Sequence, residues 1–467
     1  MENLLFIITF VVFSVAICLM LFNVKKIKKR FLRKYISKKF ADKPIFNTLI
    51  IDEICNYIAK SKAKKQKRIL KVLFDKGVDA FCKQIDSEDI KQKIYLCNNK
   101  KINAKTSDTV CLLMMAKHYL RENEYDKALK ILQKIDLKKA SSNQKAYYKY
   151  LLAQISIFEG DLLTASEDLS RSLKYFKKKN MFFEEAEAYF ILGTVYRISG
   201  VYDTADFMLR TSQEIFAHIG SSKGEAEAFG TLGLLMSVQN RFDEAESYYQ
   251  KALEKAAFDK TLAGFILSQQ AMLEYVKGNL KKSSKIANEA LKETKDAKVK
   301  ATFFDVLSRI TLSEKKYASA IRYAKQAFDI FFKAKNYPSA FESLYIKASA
   351  LAENKKLDES EQTLRFLIDE EKKHKSCFHI AGAYTLLGLV LMKKGEPDRA
   401  KALFNQALSK ELCNNRKTGV AIDYANLALV EKLQGNENEA CENLKKALSM
   451  ADETNEEIIN RIKTILD

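Results

Sequence analysis

The apolar positions of the chain fall into three regimes. Leu4 to Phe22 is a continuous apolar run broken only by Thr9 and Ser14. As a helix it would span about 28 Å, enough for a bilayer core. From Asn47 to Asn99 apolar residues sit at helical spacing, as in Leu49, Ile50, Ile54 and Ile58 and again in Val78, Phe81 and Ile85, without repetition. From residue 109 to about 450 the helical spacing is joined by a second pattern, made of small residues.

That second pattern is a repeat. Nine short turns, such as Val201-Tyr202-Asp203-Thr204-Ala205, end in a small residue: Ala128, Ala165, Ala205, Ala245, Ser283, Ala320, Ser360, Ala400 and Ala440. Twelve positions before each stands another: Ala116, Ala153, Gly193, Gly233, Ala271, Ser308, Ala348, Gly388 and Ala428. Seven positions beyond the first set, seven of the nine residues are again Ala or Ser, Ile135 and Leu367 being the exceptions. Two antiparallel helices approach closely only where side chains are small, and large neighbours then fill the gaps. Leu192, Tyr196 and Leu209 are suited to this in the third unit, and Tyr384, Leu387 and Phe404 in the eighth. One such unit cannot bury its apolar face alone, so the units must stack.

These residues resemble the tetratricopeptide repeat (TPR), whose helical hairpins place small residues at the same two positions. The period here is 37–40 residues, longer than the usual 34; armadillo and HEAT repeats have similar periods but do not predict the twelve-residue spacing. The resemblance implies an all-α chain with a right-handed superhelical solenoid of about nine hairpins, and the apolar run places one transmembrane helix before it. The expected organisation is an anchor at 1–23, a basic juxtamembrane segment at 24–44, a helical stalk or cap at 45–108, the solenoid at 109–451 and a capping helix at 452–467. Thr454-Asn455-Glu456-Glu457 is a capping-box signature for that last helix.

Charge bears on the apolar run. The chain carries a net charge of +20. Residues 23–76 hold 18 Lys/Arg against four acids, hence +14 of it. No basic n-region precedes the run and no small-residue cleavage site follows it, which argues against a cleaved signal peptide. Lys25, Lys26, Lys28, Lys29, Arg30, Arg33 and Lys34 crowd its C-terminal flank. Basic flanks stay in the cytoplasm, so the pattern predicts a single-pass membrane protein, of the bacterial inner membrane, with a cytoplasmic body. The same seven residues are candidates for anionic lipid head groups. Because the excess charge lies beside the apolar run and not along the repeats, nucleic acid is not an expected partner. The eight cysteines form no C-x-x-C pair and read as reduced.

Chemistry is sparse. The sequence contains no G-x-x-x-x-G-K, no H-E-x-x-H and no set of mutually supporting catalytic residues. His374, Cys377 and His379 cluster, but a metal would need further ligands, so they read as a polar connection between units. The expectation is a chain that is not an enzyme and has no cofactor or metal. Asp126, Asp203 and Asp243 lie at second-helix starts, where they complement the helix dipole.

TPR solenoids bind peptides or helices along a concave groove lined by each unit's first helix. The resemblance carries this to positions six and three before, and one and four after, the first small residue. The candidates there include Tyr147, Tyr150, Phe190, Arg197, Phe265 and Met272. Tyr275, Arg309, Tyr345 and Met392 continue the series; of the asparagines that TPRs holding extended peptides place in successive units, only Asn426 is present. The chaperone-tail clamp of Lys and Asn is missing. A groove that is apolar and rich in tyrosine suits an amphipathic helix, supplied by a partner protein or by residues 45–100 of the chain itself. The layout of anchor, basic flank and repeats resembles lipopolysaccharide assembly protein B, without that family's cysteine metal module, and the signal-anchored mitochondrial import receptors, without their clamp. The function expected is a membrane-anchored scaffold or adaptor for protein–protein interaction, or alternatively a regulatory receptor that responds to a peptide or small ligand.

Overall fold

The computed structural model describes residues 108–374, 379–413 and 416–450, together with scattered positions between 54 and 72. Among the described residues every element is a helix, eighteen in all from Thr109 to Met450. They fall into two compact units, one built from residues up to Ser156 and Leu162–Leu235, the other from Ile157–Asp161 and Met236 onward. In the first are α1 (Thr109–Arg121), α2 (Tyr125–Leu132), most of α3 (Ser142–Phe158), α4 (Leu162–Lys178), α5 (Phe182–Ile198), α6 (Tyr202–Ile219) and most of α7 (Ser222–Val238). In the second are α8 (Phe242–Lys255), α9 (Lys260–Val276), α10 (Leu280–Glu293), α11 (Ala297–Ser313), α12 (Tyr317–Lys333) and α13 (Tyr337–Glu353). It continues with α14 (Leu357–Lys373), α15 (Ile380–Lys393), α16 (Pro397–Cys413), α17 (Lys417–Leu433) and α18 (Glu437–Met450). Odd-numbered helices are the first members of the hairpins and even-numbered helices the second.

The twelve-residue spacing does what its physics requires. All eighteen small residues at the two positions are buried. A Cβ on Gly193 of α5 would lie 2.6 Å from Leu209 Cγ of α6, and one on Gly388 of α15 would lie 2.5 Å from Phe404 Cε1 of α16. Serine at these sites is small and also satisfied: Ser283 Oγ donates to the Ala271 carbonyl at 2.6 Å and Ser360 Oγ to the Ala348 carbonyl at 2.8 Å. Further along the second helices, Ser172 and Ser212 each donate at 2.9 Å to a carbonyl of the preceding first helix, Ala146 and Ala186. Each hydroxyl thereby fills the place of a methyl without leaving a buried donor unpaired.

Each hairpin turn contains one residue of positive φ, five positions before the second helix's small residue. These are Asn123, Gly160, Gly200, Asn240, Gly278, Lys315, Lys355, Gly395 and Gly435. The left-handed residue closes a Schellman-type cap, as where the Lys356 N–H donates to the Leu351 carbonyl at 2.9 Å. Glycine and asparagine adopt this conformation readily, whereas lysine does so at a cost. Lys355, at φ 60°, is therefore a site for improvement. Lys355→Gly is expected to stabilise the local hairpin by about 1 kcal/mol, read as a higher urea midpoint.

The acids foreseen at second-helix starts are there, with Asp126, Asp203 and Asp243 in the first turns of α2, α6 and α8. The expected membrane location needs correction. Among the described residues no helix is long and apolar enough to cross a membrane. The longest, α6, has 18 residues, but Asp203, Asp206, Arg210 and Glu214 make it amphipathic. The most apolar, α15, has 14 residues, about 21 Å of helix against the 30 Å of a bilayer core. Residues 4–22, the basic cluster Lys25 to Lys34 and the expected capping helix 452–467 lie outside the described residues.

Candidate functional site: the groove register of the first helices

In the first unit, α1, α3 and α5 each place a side chain of the candidate register into one polar cluster. Lys117 Nζ donates to Tyr147 OH at 3.0 Å and lies 3.5 Å from Glu187 Oε2. Tyr150 OH donates to the same carboxylate oxygen at 3.0 Å. The two tyrosine rings are 5.5 Å apart and tilted. Tyr147 is completely buried and Tyr150 nearly so, so both serve the packing of neighbouring units and do not present a face to solvent. Burial works against the Lys117 ammonium, but the Glu187 carboxylate and the Tyr147 oxygen outweigh it and raise its pKa above the usual lysine value. Burial pushes the Tyr147 phenol up to about 12, against the opposing pull of Lys117. Tyr150 is raised well above the ordinary phenol value by burial and then by Glu187. Phe190 and Arg197, also on α5, are half-buried.

In the second unit the register divides into an apolar and a charged part. Phe265, Met272 and Tyr275 on α9 are half-buried and pack against a core that includes Ala271, Val299, Phe303 and Leu307. Tyr275 OH and Ser313 Oγ share a hydrogen bond of 3.0 Å. Next to them, Arg309 on α11 is taken up by two carboxylates. Its Nε donates to Asp305 Oδ2 at 3.0 Å and its Nη2 is hydrogen-bonded to Glu342 of α13. Burial opposes the Glu342 charge, but His379 and Arg309 hold its carboxyl down at about 2. Burial raises the Asp305 carboxyl above its ordinary value in spite of Arg309. Tyr345, half-buried on α13, is raised by burial, and its Cε2 faces Gly382 of α15, where a Cβ would lie 3.6 Å away. Met392 packs partly buried against Leu391, Phe404 and Val430 of its neighbours. Asn426 on α17 is fully buried and does not face solvent. Beside it, Thr385 Oγ1 of α15 donates to Asp423 Oδ1 at 2.7 Å.

The structure therefore brings Tyr147 and Tyr150 together, groups Phe265, Met272 and Tyr275 on one helix, and sets Arg309 close to Tyr345. Five residues that reading the sequence overlooked complete the picture: Lys117, Glu187, Asp305, Glu342 and Thr385. All occupy the register positions from which the aromatic candidates were taken. The signal was that register, read for polar as well as apolar side chains. Of the cluster weighed as a metal site, His374 stacks on Tyr337 with ring centroids 3.7 Å apart, and its Nε2 lies 3.2 Å from Glu370 Oε2. His379 instead reaches Glu342, and Cys377 lies outside the described residues.

Comparison with known proteins agrees with this architecture. A Rap protein solved in complex with competence and sporulation factor is similar over 88% of this chain and 99% of its own, with 13% identity and a TM-score of 0.50. The apo form of the quorum sensor NprR from B. thuringiensis matches over 73% of this chain and 98% of its own, at 17% identity and a TM-score of 0.49. No curated protein matches the sequence. The family model described as the MalT-like TPR region matches residues 146–455, two thirds of the chain and nearly all of its helical pairs. With its small-residue spacing and stacked hairpins, the chain belongs to the MalT-like TPR family.

Proposed function

We propose that the chain is a non-catalytic binding module whose first helices take up a peptide or an amphipathic helix, and that it acts as a peptide-responsive regulatory receptor. The observation that carries this reading is the half-buried apolar strip Phe265, Met272 and Tyr275 on one first helix. Side chains of this size packed laterally but left partly open form the kind of surface that an amphipathic segment covers. The neighbouring charges are already spent on each other, Arg309 being held by Asp305 and Glu342. The preferred ligand side chains at this strip are therefore apolar. The Rap protein, of the same fold, is solved with competence and sporulation factor bound; the proposal extends ligand binding of that kind to this chain.

The test is fluorescence anisotropy of a set of labelled synthetic amphipathic peptides titrated with the full chain. Phe265→Ala and Met272→Ala are each expected to weaken the best binder about tenfold, equivalent to 1.4 kcal/mol. Phe366→Ala, at an exposed second-helix position, should leave it unchanged. Equal effects of all three substitutions would contradict the reading.

A further inference from the structure

His379 stands immediately before α15 and ties three helices together. Its Nδ1 lies 2.9 Å from Glu342 Oε2 on α13. Its backbone N–H donates to Glu371 Oε1 on α14 at 3.0 Å. The ring's partner is a carboxylate: an imidazolium forms an ion pair with it, whereas the neutral ring offers it only an N–H.

Charge balance points the same way. The groups facing His379 are Glu342 from α13 and Glu371 from α14, with Arg309 and Asp305 of α11 behind Glu342. The Arg309 guanidinium stands against two carboxylates, Asp305 and Glu342. With Glu371 the cluster holds three carboxylates against one guanidinium in a largely buried setting, and His379 is the adjacent group that can reduce the excess negative charge by taking a proton.

We infer that protonation of His379 is a pH-dependent latch that fastens the N-terminus of α15 to α13. Release of the latch loosens the packing that sets Tyr345 against Gly382, so the register around Tyr345 opens as the proton leaves. Burial lowers the His379 pKa, but Glu342 and then Glu371 raise it above 6.5. The proton is thus held more tightly by the folded chain than by the unfolded one. Its stabilising effect is complete below 6.5 and is lost as pH rises through the higher folded midpoint.

The experiment is an NMR titration of the imidazoles in the full chain, assigned with His379→Gln, together with hydrogen exchange of the first turn of α15. The wild-type His379 midpoint should lie above 6.5 and move down in Glu342→Gln, which keeps a hydrogen-bond acceptor but removes the charge. Exchange in wild type should be slower than in His379→Gln at the same acidic pH, and the ratio should approach one at alkaline pH. A His379 midpoint at or below 6.5, a midpoint unmoved by Glu342→Gln, or an exchange ratio that does not depend on pH would each overturn the latch.

Discussion

Gly388→Val is expected to destabilise the hairpin of α15 and α16 by about 3 kcal/mol, although helix propensity alone favours valine over glycine. The reason is the facing ring. A Cβ at residue 388 would lie 2.5 Å from Phe404 Cε1 and 2.9 Å from Cδ1 and Cζ, so no small shift of one atom relieves the contact. Phe404 is 1% exposed and has no free space to turn into. In a stack of repeats the damage is local first, because each unit depends on its nearest neighbours. Amides of α15 and α16 should therefore lose hydrogen-exchange protection before those of α9 to α12. Adding Phe404→Leu to Gly388→Val should recover part of the loss, since the smaller side chain vacates the collision. If the double variant is as unstable as the sum of the two single ones, the close approach at Gly388 is not what the residue is for.

The second large effect concerns the buried charge in the first unit. Glu187→Ala is expected to cost about 3 kcal/mol, because it strands the Lys117 ammonium with a phenol oxygen as its remaining partner in the cluster and removes the acceptor of Tyr150 OH. The side chains of Lys117 and Glu187 are only 12% and 25% exposed, so solvent cannot take over from the carboxylate. Replacing both charges, as Lys117→Met with Glu187→Leu, should recover part of the loss, the buried Tyr150 hydroxyl still lacking its acceptor. Thermal unfolding of the two variants beside the wild type measures this directly. A Glu187→Ala variant as stable as the wild type would mean that Lys117 reaches water and that the cluster is a surface ion pair.

What the sequence disclosed follows from which forces are local. The spacing of Gly193 and Ala205, or of Gly388 and Ala400, could be read because close helix packing demands small residues at fixed intervals within one hairpin. Leu209 and Phe404 were likewise recognisable as the fillers of those gaps. The left-handed turn was half visible: Gly200, Asn240 and Gly278 advertise it, while Lys315 and Lys355 carry no sign of positive φ. The charged clusters were hidden for a different reason. Lys117 and Glu187 are seventy positions apart, and nothing in the neighbourhood of either indicates the other. Only the stacking of α1, α3 and α5 brings them together. Tyr147 and Asn426 were assigned to the groove by register, but their side chains are enclosed by adjacent helices. Register says which strip of a helix a residue occupies and not how far the next helix covers it. The membrane location rested on residues 4–22 and the basic flank after them, and no helix among the described residues has the length and apolarity it needs.

Which helices meet the ligand decides the proposed function. A photoreactive benzoylphenylalanine placed singly at Met272 or Tyr345, on first helices, can be compared with the same group at Phe207 or Phe366, which are 61% and 45% exposed on second helices. With a peptide that binds in the anisotropy titration, adducts are predicted from positions 272 and 345 and not from 207 and 366. Adducts confined to the second-helix positions, or equal from all four, would contradict it.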